Sequence, residues 1–144
     1  DFINNLKIKF PIGLSSKEID EFSKISREKL ESDLPIDFKE FLNYINGFSY
    51  NGVTIFSKFN ENLKELYPRA TEKTRDIICW NQNYYEMTDI KNFIILGKSD
   101  LDYIAYDKKK NKYLILTNGT MDEIRESEHF DELLKSYLKD IEIL

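Results

Sequence analysis

The chain has 144 residues, with 21 Lys and Arg against 26 Asp and Glu for a net charge of −5, and is 41% hydrophobic and 14% aromatic. That is the length of one domain with enough apolar mass for a core, which excludes a disordered or low-complexity chain, and no apolar run approaches the roughly 18–20 residues of a membrane span. One cysteine, Cys79, excludes an internal disulfide and fits a reducing, cytoplasmic setting, while one histidine, His129, leaves most metal and acid–base chemistries without their usual side chain.

The chain opens at Asp1 rather than Met, so further residues are expected before it. Phe2, Ile3 and Leu6 are interrupted by Asn4, Asn5, Lys7 and Lys9 and do not read as a signal peptide. Ser15 followed by Glu18 has capping-box spacing, and Ile19, Phe22, Ile25, Ser26 and Leu30 then recur at helical period, which predicts a helix over 16–32. Pro35 suits a first helical turn and Asp37 adds negative charge there. Phe38, Phe41, Leu42 and Ile45 form the apolar stripe of that second helix, with Gly47 as a left-handed stop. Asn51-Gly52 marks a turn, and the β-branched and aromatic run over 53–57 reads as a strand.

Leu63, Leu66 and Tyr67 predict one or two helical turns ended by Pro68, and 74–85 reads as a helix with Ile77, Trp80 and Tyr84 inward. From Phe93 the period changes. The apolar run 93–97 is expected to be a strand buried on both faces, and 103–106 and 113–117 form a hairpin around the polar turn 107–112. Asn118-Gly119 marks a tight reversal, followed by a short strand through Ile124 and a closing helix from Phe130 to about Ile141. The predicted architecture is a single α+β domain over 1–144, a mainly antiparallel sheet with helices packed on one side and a C-terminal helix.

Candidate chemistry is sparse. Gly97-Lys98-Ser99 looks like the end of a phosphate-binding loop, but Asn92 stands where that motif needs a glycine. Asp100 and Asp102 flank Leu101 between two strands, where turn capping explains both acids, although they can also line an exposed binding edge. Cys79 has no nearby base and reads as a small buried hydrophobe, and His129 as a surface or capping residue. With a pI of about 5.0 the chain lacks the basic surface that a nucleic-acid partner needs. The strongest feature is Asp122, Glu123, Glu126, Glu128, Asp131 and Glu132, six carboxylates in eleven residues opposed by Arg125 alone. They read either as helix N-terminal and solvating charge or as a patch that steers a basic partner. Tyrosines such as Tyr50 and Tyr103 bear on the same question, because Tyr adds contact area at low entropic cost.

Leu34-Pro35-x-x-Phe38-x-x-Phe41-Leu42-x-x-Ile45-Asn46-Gly47, followed by Asn51-Gly52 and a strand with Ile55-Phe56, resembles the SUKH superfamily, the Smi/Knr-type proteins. Ile95-Leu96-Gly97-x-Ser99-Asp100-x-Asp102-Tyr103, with Ala105-Tyr106-Asp107, resembles the same family, most nearly its YrhA-like branch. Glu126-Ser127-x-x-Phe130-x-x-Leu133-Leu134 is similar to the opening of the family's last helix. The resemblance covers most of the chain from residue 34 onward and leaves 60–90 uncovered. It implies a single α+β domain with no catalytic residue, cofactor or metal. Bacterial members mostly act as immunity proteins that neutralise a cognate polymorphic toxin, often a nuclease or deaminase. Fungal members act in cell-wall signalling, so the alternative is a non-catalytic regulatory adaptor. The expected partner is a basic protein toxin, met by an acidic, tyrosine-bearing surface of Tyr50, Asp100, Asp102, Tyr103, Asp122, Glu123 and Glu126.

Overall fold

The first helix, α1 (Ser16–Lys29), starts where its capping box is predicted: the Ser15 hydroxyl accepts from the Glu18 amide, and the Glu18 carboxylate accepts from the Ser15 amide. It ends three residues before the expected boundary. Glu31 takes a positive φ and Ser26 Oγ donates to the Ser32 carbonyl, which turns the chain out of the helix. The structure, a computed structural model, describes residues 10–140, so the opening residues and Ile141, the expected end of the last helix, lie outside the described residues.

Helix α2 (Ile36–Tyr44) is entered through Pro35 and stops before Gly47, because Ile45 is extended and bridges Ile12. Gly47 has another task. At φ +73° it passes so close to the next turn of chain that an added Cβ would lie 2.2 Å from Ser57 Oγ and 2.5 Å from the Ile55 carbonyl oxygen. Strand β1 (Phe48–Tyr50) follows, then β2 (Val53–Ile55), joined through Asn51 and Gly52, both at positive φ as a two-residue hairpin turn demands. The sheet continues through β3 (Phe93–Lys98), β4 (Asp102–Asp107), β5 (Lys112–Thr117) and β6 (Glu123–Ser127). All six strands pair antiparallel in sequence order, so the architecture is α+β, a single antiparallel meander with its helices and a closing helix α6 (Phe130–Asp140).

One side of the sheet is held by α2 and α6. The Phe130 ring meets Phe38 at 5.2 Å, Phe41 at 5.1 Å and Tyr113 of β5 at 5.8 Å. Phe130, Leu133, Leu134, Tyr137 and Leu138, the predicted apolar face of α6, are all buried. Asp37 of α2 caps this helix from a distance, its carboxylate accepting from the Phe130 amide at 3.1 Å.

The segment 60–90 forms α3 (Glu61–Leu66), a single turn α4 (Glu72–Arg75) and α5 (Ile77–Thr88). Asp76 ends one helix and caps the next, accepting from the Ile78 and Cys79 amides at 3.0 and 3.1 Å. Helix α5 does more than cover the sheet. The β2–β3 pairing covers Lys98 and Gly97 and ends with the Phe56 amide donating to the Leu96 carbonyl, which leaves the edge of β3 over 93–95 without a strand neighbour. There the buried Asn81 amide accepts from the Ile95 N–H at 2.8 Å and donates to the Ile95 carbonyl at 2.9 Å, while the Tyr85 hydroxyl donates to the Phe93 carbonyl at 2.6 Å. Two side chains one helical turn apart thus complete the ladder in place of a strand.

Candidate functional site

Two connections meet at one end of β4, β5 and β6. The turn 99–101 and the loop 118–122 are tied together by the Asn118 amide donating to the Leu101 carbonyl at 2.9 Å, and Thr117 fixes Asp122 by bonds in both directions. This brings Asp100, Asp102, Asp122 and Glu123 to the same end of the sheet. Their environments differ. Asp102 is half-buried and its carboxylate accepts from the Tyr137 hydroxyl at 3.0 Å, with Ser99 Oγ 2.7 Å from that same hydroxyl. Burial first, and then the hydrogen bond to Asp102 and its charge, raises the Tyr137 phenol, which is pushed up to about 12. Asp102 therefore anchors the turn to α6.

Glu123 lies 3.5 Å from the Lys110 ammonium and Glu126 lies 3.4 Å from Lys112. A hydrogen bond with the Glu123 carboxyl, followed by Lys112, holds Glu126 below the usual carboxylate range. Arg125, on the other side of the strand, pairs with Asp140 of α6. What stays open is narrower than the acidic composition of this segment. Asp100 and Asp122 are exposed, with no side-chain hydrogen bond or ion pair among the described residues, and Leu101 projects beside Asp100 with 77% of its surface in solvent. Ile124 of β6, two strands from β4, is also exposed. Sequence reasoning passed over Leu101 as a spacer between two acids. The available signal was a large apolar residue at the tip of a turn that no core position can reach.

The two tyrosines do not face these acids. Side chains alternate along a strand, so Tyr103 points away from Asp102, and it packs edge-on against Trp80 at 5.7 Å and Tyr84 at 5.9 Å. Burial raises its phenol above the usual tyrosine value. Tyr50 ends β1, at the opposite edge of the sheet from β6.

The remaining candidates resolve into structural roles. Gly97 lies within β3, where an added Cβ would approach the Thr54 carbonyl oxygen to 2.6 Å, so the glycine serves strand packing. Cys79 is less buried than expected, being half-exposed in the first turn of α5. Burial, then Glu72 and Asp76, pushes its thiol up, away from the reactive thiolate. His129 is exposed, with Nδ1 3.1 Å from the Asp37 carboxylate, whose hydrogen bond raises the imidazole pKa. Among the described residues no group of three or more His, Cys, Asp or Glu is placed to hold a metal ion, and no helix is long and apolar enough to cross a membrane.

No protein-family model and no curated protein matches the chain. Among solved structures, a protein from Pseudomonas syringae pv. tomato superposes with a TM-score of 0.60 at 14% sequence identity, over 94% of this chain and 88% of that one. The likeness is one of fold.

Proposed function

We propose that this chain is a cytoplasmic immunity protein that binds a basic toxin domain, of nuclease or deaminase type, and blocks it stoichiometrically without turnover. The reading rests on the SUKH-like motifs and on one observation: Asp100 and Asp122 present unneutralised carboxylates at the same end of β4–β6 as the exposed Leu101. An apolar anchor accompanied by unpaired charge is the arrangement that steers a complementary partner and then excludes water from the contact. Glu123 and Glu126, already matched by lysines, contribute less to that field.

The test is co-expression with a toxin domain encoded beside the gene, followed by association kinetics with the purified pair. Asp100→Lys combined with Asp122→Lys is expected to slow association about tenfold at low salt and to flatten its salt dependence, with thermal stability unchanged. Glu123→Gln with Glu126→Gln is expected to change the rate less. Unaltered association in the Asp100/Asp122 variant removes this surface from the account. Co-purification with several unrelated proteins and no rescue of toxin-expressing cells favours the regulatory adaptor.

A further inference from the structure

A strand at the border of a sheet turns alternate N–H and C=O groups away from its neighbour, where they need another partner. In two places this protein supplies one from a side chain. Along β3 the partners are Asn81 and Tyr85. On β1, the border strand at one side, the Tyr67 hydroxyl accepts from the Ser49 amide at 3.1 Å and donates to the Ser49 carbonyl at 3.4 Å.

Strand β6 borders the sheet on the other side and has no such cover. Among the described residues its main chain bonds to β5 alone, and Glu123, Ile124 and Glu126 are exposed. Helix α6 meets it through side chains, Arg125 bonding to Ser136 and Asp140. The register shift at Ile124 confines regular pairing to 125–127 and leaves that isoleucine 56% exposed beside it.

The surrounding charge decides which strand fits this edge. Glu123 and Glu126 are matched by Lys110 and Lys112, and Arg125 by Asp140. Asp122 before the strand, and Glu128, Asp131 and Glu132 after it, carry no ion pair among the described residues. A second copy of the chain is a poor occupant. Laid antiparallel on itself about Arg125, β6 sets Asp122 opposite Glu128 and Arg125 opposite Arg125, and like charges directly opposite are destabilising. A strand bearing lysine or arginine meets the reverse condition.

We propose that the outer edge of β6 adds one extended, basic segment of a partner protein to the sheet as a further strand. Main-chain bonds along 125–127 hold the segment, the unmatched carboxylates select its charge, and Ile124 gives it an apolar contact. Asp100 and Leu101 take no part, and the inference stands apart from the toxin reading.

The experiment begins with hydrogen exchange of the free, full chain. The outward amides of 125–127 are expected to exchange as in an unfolded chain, while those of Ser49 and Ile95 are protected. Protection of every amide in 125–127 overturns the proposal. The chain is then titrated with a capped heptapeptide of alternating lysine and valine. Saturable shifts centred on β6 are expected, with exchange of the outward amides slowed about tenfold or more. The same peptide methylated at its main-chain nitrogens keeps its charge and loses its donors, and should give no saturation. Glu126→Gln with Glu128→Gln, both at exposed positions, is expected to weaken binding about threefold. Equal binding of the methylated peptide, shifts centred on Asp100, or no saturation overturns the proposal. Dimerisation of the free chain with protection of β6 also overturns it and assigns the edge to a second copy.

Discussion

Replacing Asn81 with leucine keeps the branched shape of the side chain and removes the groups that close the open edge of β3. The asparagine is fully buried and makes two bonds to Ile95, one accepted and one donated, besides a third to the Ile77 carbonyl. Without it the Ile95 N–H and C=O remain inside the protein with no partner. Each such group costs about 1–3 kcal/mol, so a loss of about 4 kcal/mol is expected. That is a large fraction of the roughly 5–15 kcal/mol that stabilises a typical domain. Urea unfolding should show the lower midpoint with an unchanged slope, and hydrogen exchange should show the Ile95 amide losing protection out of proportion to its neighbours. Asn81→Asp carries the argument further, because it turns an oxygen toward the Ile77 and Ile95 carbonyls. Burial raises the folded-state pKa of that carboxyl above its unfolded value near about 3.9, so this variant is most stable below that pH and weakens as pH rises. If Asn81→Leu costs less than about 1 kcal/mol and Ile95 exchange is unaltered, the helix does not complete the ladder.

Two glycines separate steric contact from backbone strain. Gly52→Ala meets no atom within 4 Å and bears only its φ of +82°, an expected loss of about 1 kcal/mol, whereas Gly47→Ala also drives a methyl into the Ile55 carbonyl and should lose about 3 kcal/mol or more by thermal unfolding. His129 titrates above its usual value because Asp37 stabilises its charged form, so the bond contributes fully below the unfolded imidazole pKa and fades as pH rises through the raised folded value. Asp37→Asn should lower the His129 midpoint followed by NMR; an unmoved midpoint would break the assignment.

The parts legible in the sequence are those set by neighbours in the chain. Ser15 and Glu18 announce the start of α1, Asn51-Gly52 fixes the first hairpin, and the face of α6 follows from its period. Boundaries set from a distance were missed. The second helix stops early because Ile45 meets Ile12, and the expected strand over 53–57 loses its end because Ser57 leaves the ladder to bridge Asp76. β1 is three residues long and α4 is a turn with no buried residue, so neither generates a period. The helix read over 74–85 lies three residues later, since Thr71 and Asp76 cap two separate helices there. At the candidate site the convergence of Asp100 and Asp122 follows from hairpin order. The neutralisation of Glu123 and Glu126 does not, because it depends on where Lys110 and Lys112 fall across the strands.

A sheet whose strands follow one another in the chain order forms mostly from short loops, and such loops close quickly. The cap that Asp37 places on Phe130 joins residues 93 positions apart, the widest span of any side-chain hydrogen bond among the described residues, so its closure entropy is large. Folding is thus expected to zip through the hairpins first and to finish when the last helix docks on the second, which makes that late step the one where unfolding begins.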